Sequence, residues 1–101
     1  MNNLTQWTNN AVMVLMVSAT NHSLGISGAT LSCSISKDGG AFSSISPVVI
    51  DRGLGWYSVG LTAIDCNTIG ELVLHVEASG CDSTDRVLEV VGTNRAIKLL
   101  A

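Results

Sequence analysis

The sequence predicts an all-β domain built as a sandwich of antiparallel strands. Short segments alternate apolar and polar residues, and Gly, Asn and Asp residues separate these segments. None of the segments has a convincing helical period, and short strands at regular spacing are typical of a two-sheet sandwich. We expect about five to seven strands within residues 11–92. An N-terminal arm, residues 1–10, and a C-terminal arm, residues 93–101, are expected to flank them.

The first predicted strand, Ala11–Val17, is apolar on both faces. One face carries Val12, Val14 and Met16, and the other carries Ala11, Met13, Leu15 and Val17. A strand of this kind needs cover on both sides. The core covers one side, and either a neighbouring subunit or loops of the same chain cover the other. The slightly longer stretch Ala11–Ala19 also resembles the apolar part of a signal peptide, but no Lys or Arg precedes it and it is far shorter than the ~20 residues that cross a bilayer.

The second predicted strand, Thr30–Ser36, leads into a tight hairpin. Its inward face is expected to hold Leu31, Cys33 and Ile35, with serines on the other face. The tip is Lys37–Gly40, because Asp tolerates and Gly prefers the positive φ that tight hairpin turns require. Phe42 and Ile45 would lie on the returning strand, which Pro47 marks as an edge or irregular strand.

Three further strands are predicted in the second half of the chain. In residues 55–65 the inward set is Tyr57, Val59, Leu61 and Ala63, with Trp56 over a flank. After a turn at 65–68, residues 70–80 alternate most cleanly. There Leu72, Leu74, Val76 and Ala78 face one way, and Glu71, His75 and Glu77 face the other. A polar loop at 80–85 precedes Arg86–Val91, where Leu88 and Val90 are the expected core residues.

The composition indicates a neutral surface. Hydrophobic residues make up 47% of the chain and charged residues only 13%, about half the charged share usual in soluble domains. The net charge is −3, and there is no basic cluster that could neutralise a run of phosphates. We therefore expect neither nucleic acid nor a membrane among the partners. A surface of Ser, Thr, Asn and Gly suits packing or neutral contacts.

No residue pattern points to catalysis or to a bound metal. His22 and His75 are the only histidines, and nothing in the sequence positions either one as a base for a nucleophile. The cysteines Cys33, Cys66 and Cys81 have no zinc-site spacing. We expect reduced thiols, with a Cys66–Cys81 bridge as the alternative. The sequence thus predicts no catalytic residues, no cofactor and no metal.

The unusual features are instead apolar residues at places that a partner could reach. The C-terminal arm ends in an apolar tip, whereas free chain ends are usually polar. This tip either docks on a partner or closes its own sandwich as a last strand or helical turn, and Trp7 in the N-terminal arm poses the same choice. The candidate interface residues are Trp7, Met13, Leu15, Val17, Trp56, Ile97, Leu99 and Leu100.

Three stretches carry a resemblance to a known class of proteins. They are Ser-Lys-Asp-Gly-Gly at 36–40, Gly-Trp-Tyr at 55–57 and the turn at 65–70 before a Leu-rich strand. Together they resemble small immunoglobulin-like β-sandwich proteins and domains encoded among the virion genes of tailed bacteriophages, over about Gly28–Gly92. The resemblance involves structural signatures and no catalytic motif.

The resemblance implies a virion component made in the host cytoplasm. The short single-domain form suits a cement or decoration protein on the capsid exterior, which would bind the phage major capsid protein. Such a protein would be a homo-oligomer, with a trimer as one candidate form. The alternatives are a tail, neck or fibre module that binds a receptor or glycan through Trp56 or Trp7, and a small hydrolase built on His75 with a nearby Asp.

Overall fold

The chain folds into two β-sheets. The structure is a computed structural model that describes residues 3–92, and this part of the chain contains eight strands and no helix. The strands are β1 (Asn3–Thr5), β2 (Asn10–Leu15), β3 (Ser32–Lys37), β4 (Ser43–Ile45), β5 (Val48–Gly53), β6 (Trp56–Leu61), β7 (Gly70–Glu77) and β8 (Thr84–Val91). One sheet has five strands in the order β1-β8-β7-β3-β4, and the other has three in the order β2-β6-β5. The predicted all-β class is confirmed.

Both sheets contribute their inward faces to one apolar core. The three-stranded sheet supplies Val12, Val14, Tyr57, Val59 and Leu61, and the five-stranded sheet supplies Leu4, Cys33, Ile35, Leu72, Leu74, Val76, Leu88 and Val90. Successive side chains of a strand point to opposite faces, and in β2, β7 and β8 the buried residues alternate accordingly. The inward residues predicted for β6, β7 and β8 are confirmed within these strands. Ala63 and Ala78 lie beyond the ends of β6 and β7: Ala63 is in the turn after β6, whereas Ala78 packs against the core as predicted.

The hairpin predicted at Lys37–Gly40 is present between β3 and β4. Asp38 and Gly39 both have positive φ, 48° and 79°. The Gly40 N–H donates to the Lys37 carbonyl over 2.9 Å and closes the turn. Two consecutive positive φ values match the twist of a two-residue hairpin. This is why the chain places Asp-Gly here.

Two features of the predicted sandwich need correction. The strand count is not one of them, because seven strands, β2 to β8, form the predicted sandwich region and the eighth, β1, lies in the expected N-terminal arm. The arrangement is not purely antiparallel, because β1 pairs with β8 in parallel. The stretch Val48–Gly53 forms β5, whereas the prediction placed no strand there. β1 has only three residues and is stabilised by its partner strand and by burial of Leu4, so its own sequence carries little signal.

The expected arms are only partly within the described residues. Of residues 1–10, the structure places Asn3–Thr5 in β1 and Asn10 at the start of β2. The expected C-terminal arm, residues 93–101, lies outside the described residues.

The end of the three-stranded sheet where β6 begins is fixed by close backbone contact. Gly55 has φ 89°, and a Cβ added there would lie 2.6 Å from the Gly25 Cα and 2.7 Å from the Met16 carbonyl oxygen. The buried Tyr57 hydroxyl donates to the Ile26 carbonyl over 2.6 Å and accepts from the Ala29 N–H over 3.0 Å. The loop of residues 25–29 is therefore held against this sheet by contacts that other residue types cannot make.

Candidate interaction surface

Most of the outer face of the three-stranded sheet is an apolar surface, and the exposed charged residues Asp51 and Arg52 border it at the end of β5. We call it the apolar face, and it consists of Ala11, Met13 and Leu15 from β2, Trp56, Ser58 and Gly60 from β6, and Val48 and Ile50 from β5. The strand register forms rows across the sheet: Met13 and Ile50 flank Ser58, and Ala11 and Val48 flank Gly60. Small residues thus occupy the middle strand and larger ones the two sides.

The larger side chains of the apolar face are open to solvent. Val48 is 72% exposed, Ile50 44%, and Met13 and Trp56 40% each. A cavity of about 370 Å³ opens beside Gly60, between Ala11 and Val48. Scattered exposed apolar residues are ordinary, but a contiguous patch on one sheet face is typical of a protein contact site.

The outer face of the five-stranded sheet has the opposite character. We call it the polar face, and it contains Ser34 from β3, Glu71, Val73, His75 and Glu77 from β7, and Asp85, Val87 and Glu89 from β8. Four carboxylates and one histidine lie among these residues. A surface of this kind is well solvated and needs no partner.

His75 lies between two carboxylates on the polar face. Its Nδ1 is 2.5 Å from Asp85 Oδ1, its Nε2 is 3.4 Å from Glu77 Oε1, and the Phe42 ring meets the imidazole edge-on. The hydrogen bond to Asp85 raises the pKa of His75, with a smaller contribution from Glu77. Both ring nitrogens therefore face acceptors that favour the protonated ring.

The neighbourhood of His75 does not favour a hydrolytic site. The structure does bring His75 and Asp85 together, as the hydrolase hypothesis requires. However, a general base must offer a free nitrogen to its nucleophile, and the second nitrogen faces Glu77. His22, which pairs with Asp82, is exposed on a loop. Neither histidine lines the cavity beside Gly60 or the cavity between Ile35 and Ser43.

The cysteines are free thiols and serve as small core residues. Cys33 and Cys66 are buried, and burial raises the pKa of both thiols, so they are poorly reactive. Cys66 also accepts a hydrogen bond from the Asn10 amide over 3.4 Å. Among residues 3–92, no group of three His, Cys, Asp or Glu side chains could hold a metal ion. The same part of the chain contains no helix able to cross a membrane.

The structure brings together three of the predicted interface residues. Met13, Leu15 and Trp56 lie on the apolar face, with Leu15 directly opposite Trp56. Val17 is half-buried beyond β2, where it bridges to Gly25. Trp7 is exposed in the turn before β2, and its backbone N–H donates to the Cys66 carbonyl over 3.1 Å. Ile97, Leu99 and Leu100 lie outside the described residues.

The two tryptophans lie at opposite ends of the three-stranded sheet. Trp56 begins β6, whereas Trp7 lies next to the Asn10–Leu61 pair at the other end. Six residues of strand separate these ends, which corresponds to about 20 Å. The tryptophans therefore cannot form one shared stacking platform.

Val48 and Ile50 belong to the apolar face but were not predicted as interface residues. The available signal was the apolar run Val48-Val49-Ile50 between Pro47 and Asp51. A short run of this kind does not reveal which residues point inward. Only the pairing of β5 with β6 assigns Val49 to the core side and its two neighbours to solvent.

No protein-family model matches the chain, and no curated protein matches it. The functional assignment therefore depends on the residues and geometry described above.

Proposed function

We propose that the chain is a non-enzymatic, immunoglobulin-like β-sandwich protein of a tailed-phage virion. In this proposal it is a cement or decoration protein on the capsid exterior, and it acts as a homo-oligomer that binds the major capsid protein. The observation that carries the proposal is the apolar face, a contiguous set of uncharged residues of which Met13, Val48, Ile50 and Trp56 are exposed. The resemblance of residues 28–92 to virion proteins supplies the setting.

The size of the apolar face supports attachment through several contacts at once. Three strands and about six residues per strand give a projected area of roughly 300 Å². A stable protein interface buries about 800 Å² per partner. A cement protein can reach stable attachment by combining such a patch with contacts to further subunits, because repeated modest contacts add up through avidity on a symmetric shell.

Cosedimentation with capsids tests this proposal. The full chain is mixed with capsids of the phage that encodes it, prepared without the protein, and the capsid disruption temperature is measured alongside binding. We expect the wild-type chain to pellet with the capsids and to raise their disruption temperature. Met13→Lys should weaken binding at least about 10-fold, because a buried unpaired charge is costly in an interface.

Val87→Lys is the matched control. Val87 is also an exposed strand residue, 57% accessible, but lies on the polar face. Val87→Lys should leave capsid binding unchanged, and circular dichroism should show that Met13→Lys and Val87→Lys are both folded. A wild-type chain that stays in the supernatant contradicts the proposal, as does equal capsid binding by the two variants.

Exposed Trp56 favours a second candidate function, glycan binding by a tail or fibre module. Its indole lies beside Leu15 on an open sheet face, and flat aromatic surfaces stack against sugar rings. Binding to a glycan array that is lost in Trp56→Ala and kept in Trp7→Ala would support this function. An array without any bound glycan would remove it.

A further inference from the structure

The edge strands of the two sheets differ in how they are protected. An unprotected edge presents unpaired N–H and C=O groups to other chains. β2 is an edge of the three-stranded sheet, but β8 side chains cover its free carbonyls: Thr84 Oγ1 donates to the Leu15 carbonyl over 2.9 Å, and the Arg86 guanidinium donates to the Met13 carbonyl. The edges of the five-stranded sheet, β1 and β4, have three residues each.

β5 is the remaining edge, and half of it is open. Its last residues are occupied, because the Asp51 carboxylate accepts from the Gly28 N–H and the Gly53 N–H, both over 2.8 Å, and the register shifts between Asp51 and Gly53. Within the described residues, the backbone of Val48–Ile50 bonds only to β6. Pro47 protects one end of this edge, and the bulge with its charged residues Asp51 and Arg52 protects the other, but Val48–Ile50 itself carries no charge.

We propose that β5 pairs antiparallel with β5 of a second copy of the chain, around a two-fold axis at Val49. This contact would join the two three-stranded sheets into one six-stranded sheet. It specifies how two copies meet, which goes beyond the proposed capsid role and does not depend on it.

The residues on β5 are self-complementary in this register. Val48 lies opposite Ile50 of the second copy, so the exposed apolar side chains form cross-strand pairs. The two Arg52 side chains fall at opposite ends of the paired segment, about 20 Å apart, and do not repel strongly. The pairing is limited to Val48–Ile50. On one side Pro47 lacks an N–H, and on the other the Asp51 carboxylate already accepts from the Gly28 N–H.

The pairing also extends the apolar face. Because the outer faces of the two sheets become continuous, the apolar area offered to one partner about doubles, from roughly 300 to roughly 600 Å² in projection. The backbone contact itself is short and lies at the small end of interface sizes. Dimerisation is therefore expected to depend on concentration.

Sedimentation equilibrium over a concentration series tests the pairing. We expect a monomer–dimer equilibrium for the wild-type chain. Val48→Lys/Ile50→Lys places like charges opposite each other and should weaken self-association at least about 10-fold, as should Val48→Glu/Ile50→Glu. An equal mixture of the two variants should associate again. Val87→Lys, on the polar face, should dimerise like wild type.

Amide hydrogen exchange supplies the readout for backbone pairing. Exchange at Val48–Ile50 should slow as concentration rises, and exchange at β4 should not change. A wild-type chain that stays monomeric at all concentrations, a trimer, or a dimer without slower exchange at β5 each overturns the proposal. So does dimerisation of the Lys variant at wild-type strength. Capsid binding by a strictly monomeric chain would overturn the dimer and the homo-oligomeric form of the proposed function, and it would leave capsid attachment itself intact.

Discussion

The apolar face and the polar face cover the same core but differ in both composition and support. The apolar face has no ionisable group, and its sheet is held at one end by buried contacts at Gly55 and Tyr57. The polar face carries carboxylates and a histidine whose contacts are largely solvated. Under the proposed function, the apolar face is held in a fixed shape for a partner, whereas the polar face is compatible with water.

The largest expected loss of stability comes from disrupting the close backbone contact at Gly55, which holds one end of the three-stranded sheet. Gly55→Ala should lower the free energy of unfolding by about 3 kcal/mol or more, because positive φ strain combines with overlap against backbone atoms of Gly25 and Met16. Urea denaturation followed by circular dichroism measures the change.

Gly80→Ala is the matched control for this prediction. Gly80 also has positive φ, 77°, but an added Cβ would meet no atom within 4 Å. Gly80 follows β7 in the five-stranded sheet. Gly80→Ala should lower the free energy of unfolding by only about 1–2 kcal/mol. Equal losses for the two variants would show that the close approach of Gly25 and Gly55 contributes nothing.

An intermediate effect is expected from removing one hydroxyl. Tyr57→Phe keeps the buried ring but leaves the Ile26 carbonyl and the Ala29 N–H without their partner. The free energy of unfolding should fall by about 1–3 kcal/mol, and amide exchange should become faster at Ala29. Unchanged exchange in this loop would contradict the role given to the hydroxyl.

The smallest expected effect is on the polar face. The pKa of His75 is raised in the folded state, mainly by Asp85, so protonated His75 stabilises the fold below its ordinary pKa of 6.5. This contribution is lost as the pH rises through the raised folded pKa. For an exposed pair it should reach at most about 1 kcal/mol.

The difference in unfolding free energy between wild type and His75→Gln, measured from pH 5.5 to 8.5, checks this sign. It should favour wild type at low pH and shrink above about pH 6.5. Asp85→Asn removes the main cause of the raised pKa of His75. In that background, the effect of His75→Gln on the unfolding free energy should change less with pH. A wild-type advantage that grows with pH would show that the sign is wrong.

Parts of the fold with strict alternation could be predicted from the sequence. In β7 the alternation of Leu72, Leu74 and Val76 with charged residues fixed the buried face, and at Asp38-Gly39 the turn chemistry fixed the hairpin. These signals are local, because each depends on neighbouring residues alone.

Other parts depend on pairing between distant segments. β1 exists because β8 offers it a parallel partner, and β5 was missed because Val48-Val49-Ile50 has no alternation. For the same reason, the sequence predicted only some residues of the apolar face. The two-sided apolar character of β2 indicated Met13 and Leu15, but Val48 and Ile50 joined them only through the register of β6.

Hydroxyl-radical footprinting of the chain on capsids tests the central claim most directly, because each face carries reactive side chains. Met13 and Trp56 report on the apolar face, and Phe42 with His75 reports on the polar face. We predict that capsid attachment lowers oxidation of Met13 and Trp56 and leaves Phe42 and His75 unchanged. Protection of Phe42 and His75 with continued oxidation of Met13 and Trp56 would contradict the assignment of the apolar face as the docking surface.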